Sequence, residues 1–205
     1  MQESWRGSGH WNVSGLVHLK AIFAACLVIS SWLGMQVVHE FGHAVAAWGT
    51  GGQVERVVLL PWSISRTDVD PNPHPLIVVW GGPVIGVVIP VLVWAILSWR
   101  RSAVAPAMRS FAGFCLIANG LYLGVGSLGE RIGDAGDLLR LGAPRWTLIL
   151  FGAIAVPCGL WLWHGQGRAL GMVAGSAPSR SAVVAAAAGA LGTAALGLVL
   201  TWLSR

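Results

Sequence analysis

The chain has 205 residues, of which 55% are hydrophobic and 10% charged, and its mean hydropathy is +0.69. A soluble domain carries about 25% charged residues and a disordered chain is poor in apolar ones, so both classes are excluded and several membrane spans remain. The formal charge of +5 does not indicate nucleic acid, because lysine occurs once, at Lys20, and the arginines are scattered between apolar runs. That scatter is the usual flanking charge of membrane spans.

A helix crossing a hydrocarbon core of about 30 Å needs around 20 mostly apolar residues. Five windows qualify, at 21–47, 76–98, 107–128, 146–164 and 182–203. The expected fold class is an all-α polytopic membrane protein of about five transmembrane helices, with residues 1–205 as a single integral membrane domain. Gly51 and Gly52 end the first span, and 53–60 then reads as a β-branched strand, followed by a second short strand near Ile64. Trp146, Trp161 and Trp163 are expected interface anchors of the fourth span. Gly82/Gly86 and Gly120/Gly124 have the small-xxx-small spacing of close helix packing. Cys26, Cys115 and Cys158 stand in apolar runs without metal-ligand spacing and read as small core residues.

The first span contains His39-Glu40-Phe41-Gly42-His43. Residues i and i+4 share one helix face, so both histidines can hold one metal ion. Glu40, beside the first ligand, can take a proton from a metal-bound water, whose pKa zinc lowers to about 7. With 6 histidines and 4 glutamates in the chain, chance matches to this pattern are expected on the order of 0.003 times. Three ionisable residues inside an apolar span are costly and therefore functional by default.

A hydrolytic zinc needs a third protein ligand. His10, His18, His74 and His164 fall at span ends or in loops and read as solvated or interfacial. Asp134 and Asp137 follow the third span at i and i+3, on one helix face. If the first span ends on one side, the second returns and the third goes back, so the aspartates emerge on the side of the histidine pair. A metal-transit site built from His39, His43, Asp134 and Asp137 is disfavoured, because spans two, four and five carry nothing ionisable in their middles.

These residues resemble the site-2 protease family, the intramembrane zinc metallopeptidases, in a minimal form without a PDZ domain. The resemblance rests on the HEFGH motif in a membrane helix, the Gly-Gly-Gln-Val-Glu-Arg-Val run after it and the later Asp-Ala-Gly-Asp-Leu-Leu-Arg-Leu, and covers about residues 20–142. It implies Zn²⁺ as cofactor, His39 and His43 as ligands and Glu40 as general base. Asp134 matches the family's third ligand, with Asp137 as the alternative. It implies that the strand at 53–60, through Val54, Val57 and Val58, holds an extended substrate, and Asn119 stands for the family's asparagine upstream of the aspartate, grouped with the substrate-contacting residues. The expected activity is hydrolysis of peptide bonds in or near transmembrane segments of membrane proteins. The alternative is a catalytically inactive membrane scaffold or regulator of the same fold. The expected partners are a substrate membrane protein and the bilayer, in a bacterial-type cell membrane.

Overall fold

The computed structural model describes residues 13–59, 65–129 and 133–203. Leu60, Ile64 and His10, to which the sequence assigns a strand end, a second strand and a solvated histidine, lie outside the described residues. Five helices are long and apolar enough to cross a membrane, and the chain is an integral multi-pass membrane protein. They belong to α1 (Val13–Gly49), α2 (Pro75–Trp99), α3 (Ala105–Gly124), α5 (Arg145–Trp163) and α7 (Arg180–Leu203). Between α3 and α5 lies the short α4 (Gly133–Arg140), and α6 (Gln166–Ala169) is a single turn after α5. Large apolar side chains such as Val184, Leu191 and Ile154 face outward, which only a lipid environment makes favourable. Trp99, Trp146, Trp161 and Trp202 are exposed at helix ends, where amphipathic rings meet the headgroups.

The first helix is longer than its apolar window. It starts at Val13 rather than near residue 21 and runs for 37 residues, about 55 Å at 1.5 Å per residue. Even at a tilt of about 40° such a helix exceeds the roughly 30 Å hydrocarbon core, so its ends stand in polar surroundings. Its C-terminus is closed by Gly51, whose φ of +81° no Cβ-bearing residue adopts readily, and by the Gly52 N–H donating to the Ala47 carbonyl at 2.8 Å.

Helices pack side by side in the order α7, α1, α2, α3, α5, and α1 also touches α3. The α1–α2 seam depends on glycine. A Cβ at Gly42 would overlap the Gly81 carbonyl oxygen and come within 2.9 Å of the Gly82 Cα, which is backbone and cannot turn aside. Gly120 and Gly124 serve the α3–α5 seam as the sequence predicts, facing Ala155 and Gly152.

After α1 the chain forms an antiparallel hairpin of β1 (Val54–Val58) and β2 (Arg66–Val69), with Val57 opposite Thr67 and an irregularity between Val54 and Arg56. The second strand thus follows Ile64 by two residues. β1 packs against α7, where the Thr201 hydroxyl accepts the Leu59 N–H at 2.9 Å. β2 packs against α1. Helix α4 is anchored by an apolar cluster of Leu123, Ala135, Leu138, Ala143 and Leu148.

Gly42→Ala is expected to force α1 and α2 apart and to destabilise the protein by about 1–3 kcal/mol, the usual cost of overpacking. Thermal unfolding of the detergent-solubilised protein measures this. An unchanged midpoint would show that the seam is not close-packed.

Candidate metal centre

Residues 36, 39, 40 and 43 recur at three- and four-residue intervals, so they form one face of α1. This face looks toward α2, α3 and α4 and lines a cavity of about 1200 Å³. His39, Glu40 and His43 are all buried, and their candidate ligand atoms lie within 4.8 Å of one another.

Each imidazole is oriented by an oxygen. His43 donates from Nδ1 to the Val78 carbonyl of α2 at 2.8 Å. His39 donates from Nδ1 to Asn119 Oδ1 at 2.7 Å. The direction of this second bond is settled by Asn119 itself, because its Nδ2 donates to the Cys115 carbonyl at 2.9 Å and so turns Oδ1 toward His39. With both Nδ1 atoms carrying the proton, both neutral rings present Nε2 as a bare acceptor.

The two Nε2 atoms are 3.1 Å apart, and Asp134 Oδ2 lies 2.8 Å from that of His39 and 3.4 Å from that of His43. Three acceptors facing each other repel unless a positive charge stands among them. A metal held tetrahedrally at about 2.0–2.1 Å needs ligand atoms about 3.3 Å apart, and the three observed edges bracket that value. Two imidazoles and one carboxylate are also a donor set of hydrolytic zinc sites, which keep one position open. The residues therefore fit Zn²⁺.

Asp134 owes its place to α4 and Tyr122. Its N–H donates to the Tyr122 hydroxyl at 3.0 Å, and the neighbouring Ala135 is wholly buried in the apolar cluster. Gly133 has φ of +60° and leaves no room for a side chain beneath the same hydroxyl. A carboxyl group is ionised at neutral pH when a cation stands beside it, and Asp134 Oδ2 is placed to share one with the two proton-free Nε2 atoms. The carboxylate is thus anionic and ready to ligate. Asp137 also lines the cavity but is exposed and paired with Arg140, so it does not join the histidines.

Glu40 is only 2% exposed, and its Oε2 accepts the Thr67 hydroxyl of β2 at 2.7 Å. The strand is thereby tied directly to the residue proposed as base. The cavity wall on this side consists of residues 65–70 and Glu55; Val54, Val57 and Val58 of β1 are not part of it. No strand other than β1 pairs with β2 among the described residues, so its other edge carries no strand. Asn119, grouped with substrate contacts from sequence, is 1% exposed and spends its amide on His39 and Cys115. His18, His74 and His164 are not on the cavity.

Four contributors were not visible as such in the sequence. Thr67 and Tyr122 carry no motif. Gly82 and Gly86 had a packing signal, yet a Cβ at Gly82 would overlap the His43 ring, and one at Gly86 would sit 3.2 Å from the Asn119 amide. These glycines seat the site as well as the seam. The electrostatics are lopsided too. Of the chain's eight acidic residues, Glu40, Glu55, Asp68, Asp70, Asp134 and Asp137 line this cavity, and among the described residues its only Lys or Arg, Arg66, is paired with Asp68 at 3.2 Å.

No protein-family model, no curated protein and no solved structure matches the chain.

Gly82→Ala is expected to displace the His43 imidazole and to weaken zinc binding by about 10–100-fold, the range seen when a ligand's support is lost. Competition with a chromogenic chelator measures this. Wild-type affinity in the variant would mean that His43 is not a ligand.

Proposed function

We propose that the chain is an intramembrane zinc metalloendopeptidase that hydrolyses peptide bonds in or near transmembrane segments of other membrane proteins. The observation that carries this reading is the triangle of His39 Nε2, His43 Nε2 and Asp134 Oδ2, with edges of 2.8–3.4 Å, beside a buried carboxylate that is not part of it. The resemblance of the HEFGH motif and the later aspartate to site-2 proteases supports the same reading, as does the setting of the motif in a membrane helix. By that resemblance the protein is of the minimal type and resides in a bacterial-type cell membrane.

Zinc, when bound, supplies Lewis-acid charge to a scissile carbonyl and lowers the pKa of water at an open coordination position. His39, His43 and Asp134 would hold the ion, and the Asn119 and Val78 oxygens keep both imidazoles in the tautomer that can ligate. Glu40 takes a proton from the attacking water as the water oxygen bonds to the carbonyl carbon. It returns that proton to the nitrogen as the C–N bond breaks, leaving a carboxylate and an amine. The Thr67 hydroxyl keeps Glu40 facing the cavity. A peptide bond in a helix is shielded by its own hydrogen bonds, so the substrate segment must unwind. The strand-free edge of β2 offers its backbone replacement partners.

The test is zinc content and cleavage together, on wild type, Glu40→Gln and Asp134→Asn. Wild type is expected to hold about one zinc per chain and to cut a co-expressed single-span protein. Glu40→Gln should keep the metal and lose cleavage by at least about a thousandfold, the upper part of the range for a general base. Asp134→Asn should lose both. Cleavage that survives Glu40→Gln sinks the mechanism; zinc without turnover in wild type assigns the fold to a scaffold.

A second expectation concerns the base alone. Thr67→Val should lower turnover about tenfold, the worth of one hydrogen bond to a charged group, and leave zinc content intact. Equal turnover rates would show that Glu40 needs no partner.

A further inference from the structure

Gln36 stands one helical turn before His39 and Glu40 on the cavity face of α1, and it is 5% exposed. Its amide has two donors and an acceptor, yet it hydrogen-bonds to no residue of the protein among those described. The other buried polar side chains of this face are all partnered: His39 by Asn119, Glu40 by Thr67 and His43 by Val78. Buried side-chain amides in folded proteins nearly always find partners. The Gln36 amide is not sealed in the core, because the side-chain atom both shut off from solvent and unpartnered among the described residues is Asn72 Oδ1; the amide therefore opens on the cavity. An amide that faces a cavity without a protein partner is free to pair with a ligand that enters there.

We propose that Gln36 binds the backbone of the extended substrate segment. A primary amide matches a peptide group, since it can donate to a carbonyl and accept from an N–H at once. The distance fits as well. One turn of α1 is about 5.4 Å and one residue of an extended chain about 3.3 Å, so Gln36 addresses a backbone group one to two residues from the scissile bond. A backbone contact there tolerates different side chains and requires only that the segment be unwound, because a helical substrate has no free N–H or carbonyl to offer. Gln36 thus selects for unwinding rather than for sequence. This inference rests on reading the cavity as a peptide-binding site.

The experiment uses zinc-loaded Glu40→Gln protein in detergent, so that capture is read without turnover. The probe is a short fluorescein-labelled peptide rich in Leu, Val and Ala around a central Gly-Gly pair, followed by anisotropy. Adding Gln36→Met, a near-isosteric change, is expected to weaken capture about tenfold, with zinc content unchanged and the thermal midpoint unchanged or raised. An amide-to-ester scan of the peptide should then find a position whose ester weakens binding to the parent but not to the Gln36→Met protein. A midpoint lowered by Gln36→Met makes the amide a structural contact and overturns the proposal. Equal capture by both proteins, or no capture by the parent, also overturns it. Wild-type cleavage is scored separately: capture that depends on Gln36 without cleavage leaves this inference standing and removes the protease.

Discussion

Two imidazole nitrogens, left without protons because each ring donates from its other nitrogen, and a carboxylate oxygen meet within 3.4 Å of one another. In a region of low dielectric this arrangement is unstable without a cation, and much of the fold can be understood as holding it in place. Glycine at positions 42, 81 and 82 lets α1 approach α2 until His43 reaches a backbone carbonyl. Helix α3 supplies Asn119 and Tyr122 from one face, three residues apart, so that one orients a histidine and the other orients the aspartate. Helix α4 brings that aspartate in by burying Ala135 and Leu138 beside it. Four helices are fixed to one another through a site of three ligands.

How much of this was legible in sequence follows from where the information lies. Spans announce themselves by composition, and all five windows correspond to helices, because crossing lipid leaves few alternatives to a continuous apolar helix. Span ends were less legible: α1 begins eight residues before its apolar window, since beyond the hydrocarbon nothing forces the helix to stop. The His39, Glu40 and His43 face was legible because helical spacing is local. Asp134 was singled out by counting crossings and by resemblance, and the structure brings it to the histidines while Asp137 pairs with Arg140. Thr67, Tyr122 and the site role of Gly82 were not legible, because each depends on a contact between elements that no local pattern encodes.

The hairpin shows the same division. A strand was expected after Gly51 and Gly52, and its hydrophobic valines drew the substrate role to β1. The structure puts β1 against α7 and β2 on the cavity. Val57 and Val58 of β1 are half-buried in a strand that packs on α7, whereas Arg66, Thr67 and Asp68 of β2 border the cavity, where polar side chains can be solvated. The polar strand is therefore the one in position to meet a ligand. Six of eight carboxylates gathered on one cavity in a chain of net charge +5 repel each other and lower the potential there. That field favours a bound divalent cation and disfavours anionic ligands.

The polar groups of the site fall into two kinds. His39, His43, Asn119, Glu40 and Asp134 have partners within the protein, and each bond narrows the orientation of a group that must act on a fixed point. Such preorganisation is what a reaction centre requires, because reorientation during the reaction adds to the barrier. Among the described residues Gln36 is left without a partner and the outer edge of β2 without a strand. Both offer main-chain-like hydrogen bonding, and both lie along the cavity next to the fixed groups. An unwinding helix loses one backbone hydrogen bond per residue, so a site that accepts unwound chain must return some of them locally. Under the proposed reading the unpartnered amide and the unpaired strand edge are complementary to that need, and their incompleteness in the free protein is the counterpart of the completeness of the candidate metal ligands.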